Sequence, residues 1–434
     1  MQEDILQFIW QHRLLKPVNM STAGGKQVKI VSPGTLNRDA GPDFFNAQII
    51  IDDVTLSGNV EIHVRTSDWT RHHHDTDPSY DRIILHAVFE HDGPIVQNEK
   101  HRVEVLELRN YIEEGIIERY QELAVAKQNI PCHPQLATAD DVTFIAWIER
   151  LAVERLEQKV ERVGSLIRDL NGDYTNAIYI LLLQAFGFSV NSGAFEQLAR
   201  RLPVHILLRH SNNLLQLEAM LLGMAGMLDE QLQGCHLHDL QNEFVFLERK
   251  YHLNPLRKEL FKYSRMRPAN FPALRLAQFA AMLHRQPRLI TSPLSFSEKN
   301  ELVRALRAEM SDYWKSHYDT GGASSHRVLQ LGEAAAEGLV INVFAPFFFY
   351  TGKTFSKSEH CDTALSLLEQ CAPEHNRKTD LFPGKSRLVK TARYSQGLIQ
   401  LADHYCFRKQ CLRCAIGASL ISPPATKVSR PVPA

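Results

Sequence analysis

Residues 41–64, GPDFFNAQIIIDDVTLSGNVEIHV, hold two β-rich runs, 47–51 and 54–64, separated by the pair Asp52-Asp53. Asp43 stands at the entry to the first run, Glu61 lies inside the second, and His63 follows two residues later. Residues two apart on a strand point to the same face, so Glu61 and His63 share one. A hairpin of the two runs brings Asp43 beside that face, placing two carboxylates and an imidazole at one sheet edge. Two hard carboxylate oxygens suit magnesium or manganese, ions that keep several waters and stabilise a phosphodiester transition state while activating water.

Further β-rich runs at 27–31, 82–90 and 103–108 flank this pair, with Gly, Pro, Asp and Asn between them. Ahead of them Ile5, Phe8, Ile9 and Leu15 fall on one helical face, and 67–81 reads as part helix and part loop. Helix, three strands, helix or loop, then two strands predict an α/β domain over 1–127, a mixed sheet flanked by helices. The Pro-broken IPCHPQ, 130–135, reads as a linker. Beyond it apolar residues recur at helical spacing over 144–163, 174–186, 195–202, 214–228, 273–283 and 297–310. This predicts a large, mostly α-helical domain over 128–420 and a Pro-rich disordered tail over 421–434.

A chain of 434 residues, 44% hydrophobic and 23% charged, is globular and holds two or three folded units, with a core that needs no disulfide or metal to exist. Lysine plus arginine and aspartate plus glutamate both total 49, so any nucleic-acid site must be a local patch. The N-terminus lacks the features of a secretory signal, and the apolar run 339–350 is short of a membrane span and holds Asn342 and Pro346. A cytoplasmic protein with no membrane association is expected; the sequence carries no indication of oligomeric state. There is no phosphate-binding loop of the G-x-x-x-x-G-K-[ST] type and no G-x-S-x-G elbow, which removes nucleotide hydrolysis and α/β-hydrolase chemistry.

Three further groups could carry chemistry. Seven of the 20 histidines fall between His63 and His101. Of these, His72 and His74, with Asp75, could offer ligands from a loop, and His86 could face the same cleft from a strand, binding phosphate or completing a metal shell. Near the C-terminus Cys406, Cys411 and Cys414 are spaced C-x4-C-x2-C, with His404 two residues ahead. Such spacing suits zinc or an iron–sulfur cluster, with His404, Cys361, Cys371 or His360 as the fourth ligand. In KYSRMRPANFP, Lys262, Arg265 and Arg267 with Phe271 could contact a nucleic-acid backbone and stack on a base.

Pro42-Asp43 and, eighteen positions on, Glu61-Ile62-His63 resemble the PD-(D/E)XK nuclease signature, and the surrounding order of helix, three strands, helix and strand is similar to that superfamily's core. The resemblance implies that Asp43 and Glu61 bind the metal and that His63 replaces the lysine that orients or deprotonates water. It also implies a further acidic ligand at Glu3, in the first helix. A neutral histidine can act as base or ligand but lacks lysine's permanent charge. Over nearly the full length, the blocks GPDFFNAQI, GNVEIHV, SDW with HHHDTDPSY, IILHAVFEHD, LEAMLLGMAGML, SRMRPANFP, INVFAPFFFY and SQGLIQL resemble an uncharacterised bacterial family known as a domain of unknown function. The reading that follows is a metal-dependent nuclease: Asp43, Glu61 and His74 hold magnesium or manganese, and Asp43, Glu61 and His63 carry catalysis on nucleic acid. Two alternatives stand beside it: a non-catalytic nucleic-acid-binding or scaffold protein that keeps the fold, and a structural metal protein organised by the cysteines.

Overall fold

The computed structural model describes residues 2–93, 103–228, 234–321 and 330–422. His101 and the tail from 423 lie outside them. The chain divides into two compact units, Met1–Trp147 with Leu401–Ala434, and Ile148–Gln400. The first boundary falls inside a helix, Asp141–Asp169, and not at the IPCHPQ linker. The cysteine-bearing segment 401–422 groups with the sheet, whereas periodicity grouped it with the helices; a local pattern carries no information about which distant unit a segment rejoins.

In the first unit, helix α1 (Glu3–Gln11) buries Ile5, Leu6, Phe8, Ile9 and Trp10, and its acidic first turn, Glu3 and Asp4, complements the positive end of the helix dipole. It stops before Leu15 because Arg13 turns into the left-handed region at φ 52°, and Leu15 instead bridges to Ile112. The sheet has seven strands: β1 (Met20–Ser21), β2 (Gln27–Ser32), β3 (Thr35–Leu36), β4 (Phe44–Ile51), β5 (Val54–Arg65), β6 (Ile83–Glu90) and β7 (Glu104–Glu107). Its order is β1-β2-β4-β5-β6-β7, with β3 also on β4; pairings up to β5 are antiparallel, and β5, β6 and β7 run parallel. The sheet curls until its ends meet: Ala23 N–H donates to Val105 O at 2.8 Å and Lys26 Nζ lies 2.7 Å from Glu104 Oε1. The mixed sheet is thus nearly a closed barrel.

Three details of this sheet place the candidate site. Val60, Glu61, Ile62 and His63 are all buried, so the middle of β5 is covered on both faces and puts a carboxylate and an imidazole inside. The parallel crossover from β5 to β6 runs through the histidine-rich segment, with the short helix α2 (Asp68–Arg71) and a 3-10 turn at Pro78–Tyr80. In β4 the register shifts between Phe44↔Val60 and Ala47↔Gly58, one residue more than β5 offers, with Asn46 at φ 57°. This bulge re-aims the strand end that carries Asp43. Gly34 makes room for it: at φ +87°, a Cβ there would stand 2.6 Å from Phe45 O and 3.0 Å from Ala47 N.

The second unit is helical. The stretches expected at 174–186 and 273–283 are helices at Tyr174–Phe186 and Pro272–Arg285, while 297–310 contracts to Lys299–Leu306. Asp173 and Asn213 cap their helices by accepting from Asn176 N and Gln216 N. The apolar run 339–350 belongs to a longer helix, Glu333–Thr354, which is long and apolar enough to cross a membrane and is 72% buried, with Phe344, Phe347 and Phe348 in the core. Pro346, which has no N–H to give, follows a widened π turn at Val340–Phe344.

The bulge supplies a stability test. Gly34→Ala is expected to lower the thermal midpoint well beyond Gly25→Ala. Gly25 shares a positive φ of +85° but has nothing within 4 Å of an added Cβ, so its variant carries only the left-handed strain of about 1–2 kcal/mol. Overpacking at Gly34 adds about 1–3 kcal/mol. Equal losses in the two variants would show that the bulge does not depend on the close approach.

Candidate metal centre

Glu61 organises the interior of β5. Its Oε2 accepts the Asp43 N–H at 3.1 Å, and its Oε1 lies 3.3 Å from His74 Nε2 and 3.5 Å from His63 Nε2. His72 Nδ1 approaches His63 Nε2 at 3.1 Å. Among the described residues, the donor atoms of His63, His72 and His74 all lie within 4.8 Å of one another. Around an ion with metal–nitrogen bonds near 2.0–2.1 Å, neighbouring ligand atoms stand about 2.8–3.4 Å apart, from octahedral to tetrahedral angles. The spacings of 3.1, 3.3 and 3.5 Å therefore have the size of the edges of a coordination polyhedron.

The ring orientations are supported from outside. His63 Nδ1 lies 2.9 Å from Nε2 of the wholly buried His86, which sits beside Glu61 in the β5–β6 register. A proton on His63 Nδ1, donated to His86, leaves His63 Nε2 with its lone pair toward Glu61, His72 and His74, the arrangement metal-bound imidazoles use. His74 stacks between His63 (centroids 5.2 Å apart) and Tyr80 (3.8 Å), with Trp69 edge-on at 5.5 Å. Burial, then the neighbouring histidines, push His63 down to about 2 and His86 down to about 3, so both rings are neutral and able to act as ligand or support. His86 Nδ1 is buried without a hydrogen-bond partner.

Asp43 is a neighbour of this group with its own commitments. Its Oδ1 accepts from Gln7 Nε2 at 2.8 Å and its Oδ2 from Ile62 N–H at 3.0 Å. Both bonds favour the carboxylate, yet burial and the facing Glu61 outweigh them and push Asp43 up to about 7. It opens into a cleft of about 610 Å³ whose lining includes Arg38, Arg408 and Arg413, all exposed and without an ion-pair partner among the described residues. Lys409 is on the same wall but donates to Ala124 O at 3.0 Å. A second cleft of about 650 Å³, which shares Asp4 with the first, reaches His72, Glu3 and Arg71. Glu3 is raised by burial and feels His72 and Glu61, which puts it at the edge of the group.

The structure thus gathers Asp43, Glu61, His63, His72, His74 and His86, with Glu3 nearby. Asp75 stands half-buried beside His74 and outside the converging donors. Lys262, Arg265 and Arg267 are exposed in the second unit, where Phe271 packs edge-on against Tyr263 at 5.1 Å and is only half exposed. Cys406, Cys411 and Cys414 are buried in the first unit and His404 is half-buried in the π turn 401–406. Residues the sequence reading passed over are Gln7, Tyr80 and the three arginines. Gln7 could have been found, since it follows Glu3 by one helical turn.

The raised Asp43 has a signed consequence in the metal-free chain. A carboxyl with its folded value raised is penalised once ionised, so stability falls as pH rises through the interval from 3.8 toward about 7. Asp43→Asn has no such penalty, so its stability relative to the parent should improve between pH 5.5 and pH 8, read by thermal unfolding in chelator. A pH-independent difference would mean that Asp43 ionises as an ordinary carboxylate.

Comparison with curated proteins and with solved structures yields no significant match to this chain. A family model described as a protein of unknown function, DUF2851, matches residues 3–377, a span that contains Asp43, Glu61 and the whole histidine group. The chain therefore belongs to the DUF2851 family.

Proposed function

We propose that the first unit is a metal-dependent nuclease. The observation that carries this reading is the junction of a histidine trio, His63, His72 and His74, two of whose rings face Glu61, and a carboxyl, Asp43, that opens into a cleft bearing three arginines without an ion-pair partner among the described residues. A divalent ion held by the three imidazoles beside Glu61 would supply a Lewis acid and a water of lowered pKa. Three imidazoles beside one carboxylate favour manganese, iron or zinc over magnesium, which prefers oxygen. The arginines, planar and permanently charged, suit the oxygens of a phosphodiester backbone and supply the positive charge that His63, being neutral, lacks. Asp43, poised near neutrality, can hold or release a proton at the cleft. The element order, a helix, antiparallel strands, a short helix and parallel strands, is that expected of the PD-(D/E)XK core, and it supports the same reading.

Two measurements test it. In equilibrium dialysis against manganese and zinc, Glu61→Gln and His74→Ala should abolish stoichiometric binding, and His86→Ala should weaken it by about 10–100-fold, as loss of a ligand-orienting partner does. Undiminished binding in Glu61→Gln would remove the centre. Single- and double-stranded DNA and RNA should be cleaved with manganese by the parent chain and not by Glu61→Gln. Arg408→Ala combined with Arg413→Ala should raise KM more than it lowers kcat. Retained, metal-independent binding with no cleavage under any divalent ion would instead favour a non-catalytic nucleic-acid-binding protein.

A further inference from the structure

The second unit carries a cleft of about 580 Å³ lined from the helices Asp141–Asp169, Tyr174–Phe186, Phe188–Arg201 and Glu333–Thr354. Small residues leave it open: Ala185 and Ser192 from the second and third of these helices, Ala335 and Gly338 from the fourth. A glycine inside a helix costs about 0.5–1 kcal/mol relative to alanine. At Gly338 no close approach of the chain accounts for that cost, since an added Cβ would meet nothing within 4 Å. The space beside it is free for something else.

Lys159 and Arg162, one turn apart on Asp141–Asp169, reach this cleft together. Arg162 is exposed and has no ion-pair partner among the described residues. Lys159 is half-buried, and its ammonium donates to Asn342 Oδ1 at 2.8 Å and to Gln396 Oε1 at 2.6 Å. Asn342 is fixed for this contact, because its Nδ2 donates to Gly338 O at 2.9 Å and its oxygen is thereby turned to Lys159. It sits in the π turn Val340–Phe344, a widening that is frequent at functional sites. An ammonium has three hydrogens to donate, and among the described residues the third has no acceptor. Glu374, the carboxylate on the same lining, accepts from Gln396 Nε2 and makes no ion pair with Lys159. Burial, then the neighbouring Arg155 guanidinium, push Lys159 down to about 7, a deficit that a bound anion would offset.

We propose that this cleft binds a small organic carboxylate with an apolar body. The carboxylate takes the third Lys159 hydrogen and the planar fork of Arg162. The body lies against Leu181, Phe188, Leu339 and Val343. Phe188 is held for that contact, with the buried Arg275 guanidinium 4.3 Å from its ring centroid. A largely apolar lining of several hundred Å³ with a few placed polar groups is the make-up of small-molecule sites. Two cations against the Glu374 carboxylate leave one positive charge (2 − 1), which suits a single carboxylate and not a polyphosphate.

The lining lies wholly in the second unit, and this inference does not depend on the nuclease reading. The test is isothermal titration calorimetry of the full chain with octanoate and 2-naphthoate, set against octanol, which has the apolar body and no charge. Both carboxylates are expected to bind one to one, with octanoate tighter than octanol by about tenfold or more, as a charge-assisted hydrogen bond provides. Lys159→Met should remove that preference, and so should Arg162→Ala, a change at an exposed side chain that keeps the test intact if Lys159→Met fails to fold. Gly338→Leu, which fills open space with a better helix former, should keep the thermal midpoint and lose both carboxylates. A folded parent chain that takes up neither carboxylate overturns the proposal. So do equal affinities for octanoate and octanol, a preference unchanged in the folded Lys159 and Arg162 variants, or octanoate binding that Gly338→Leu leaves as it was.

Discussion

The candidate centre depends on one exchange of hydrogen bonds between β4 and β5. Asp43 gives its N–H to Glu61 and accepts the N–H of Ile62, so two acidic residues that should repel are locked together through the backbone. The β4 bulge sets where Asp43 stands, and the β5 pleat sets Glu61 and His63 on one face. Everything else gathers around that fixed pair: Gln7 from α1 on one carboxylate, His74 from the crossover on the other, and His86 behind His63.

Burying so many ionisable groups is costly, and the molecule meets the cost by keeping charges low. His63 and His86 are neutral, Asp43 titrates near neutrality, and Glu61 has two imidazoles against one oxygen. A fold optimised only for stability would place apolar residues in the middle of a strand covered on both faces. Polar residues there, each oriented by neighbouring polar groups, are how metal-binding and catalytic sites are held ready.

Much of this was legible in the sequence because the first unit is built from local patterns. Alternation and turn residues located five strands, and the two-residue spacing on β5 put Glu61 and His63 together. What was hidden is non-local. The bulge at Asn46 needs the partner strand to define it. The neutrality of His63 comes from His86 and the crossover, and the basic wall comes from a segment more than 360 positions away (408 − 43). The end of α1 at Gln11 followed from the left-handed Arg13, which no hydrophobic period announces.

The return of segment 401–422 to the first unit also bears on biosynthesis. The 253 residues Ile148–Gln400 (400 − 147) take roughly 13–50 s to translate at about 5–20 residues per second. For that interval the nascent sheet has its histidines and Asp43 but not the strand of chain that carries Arg408, Arg413 and three cysteines. The sheet unit is thus begun before the helical unit and completed after it, and a ribosome that stalls within the helical unit leaves the sheet without Arg408, Arg413 and the three cysteines.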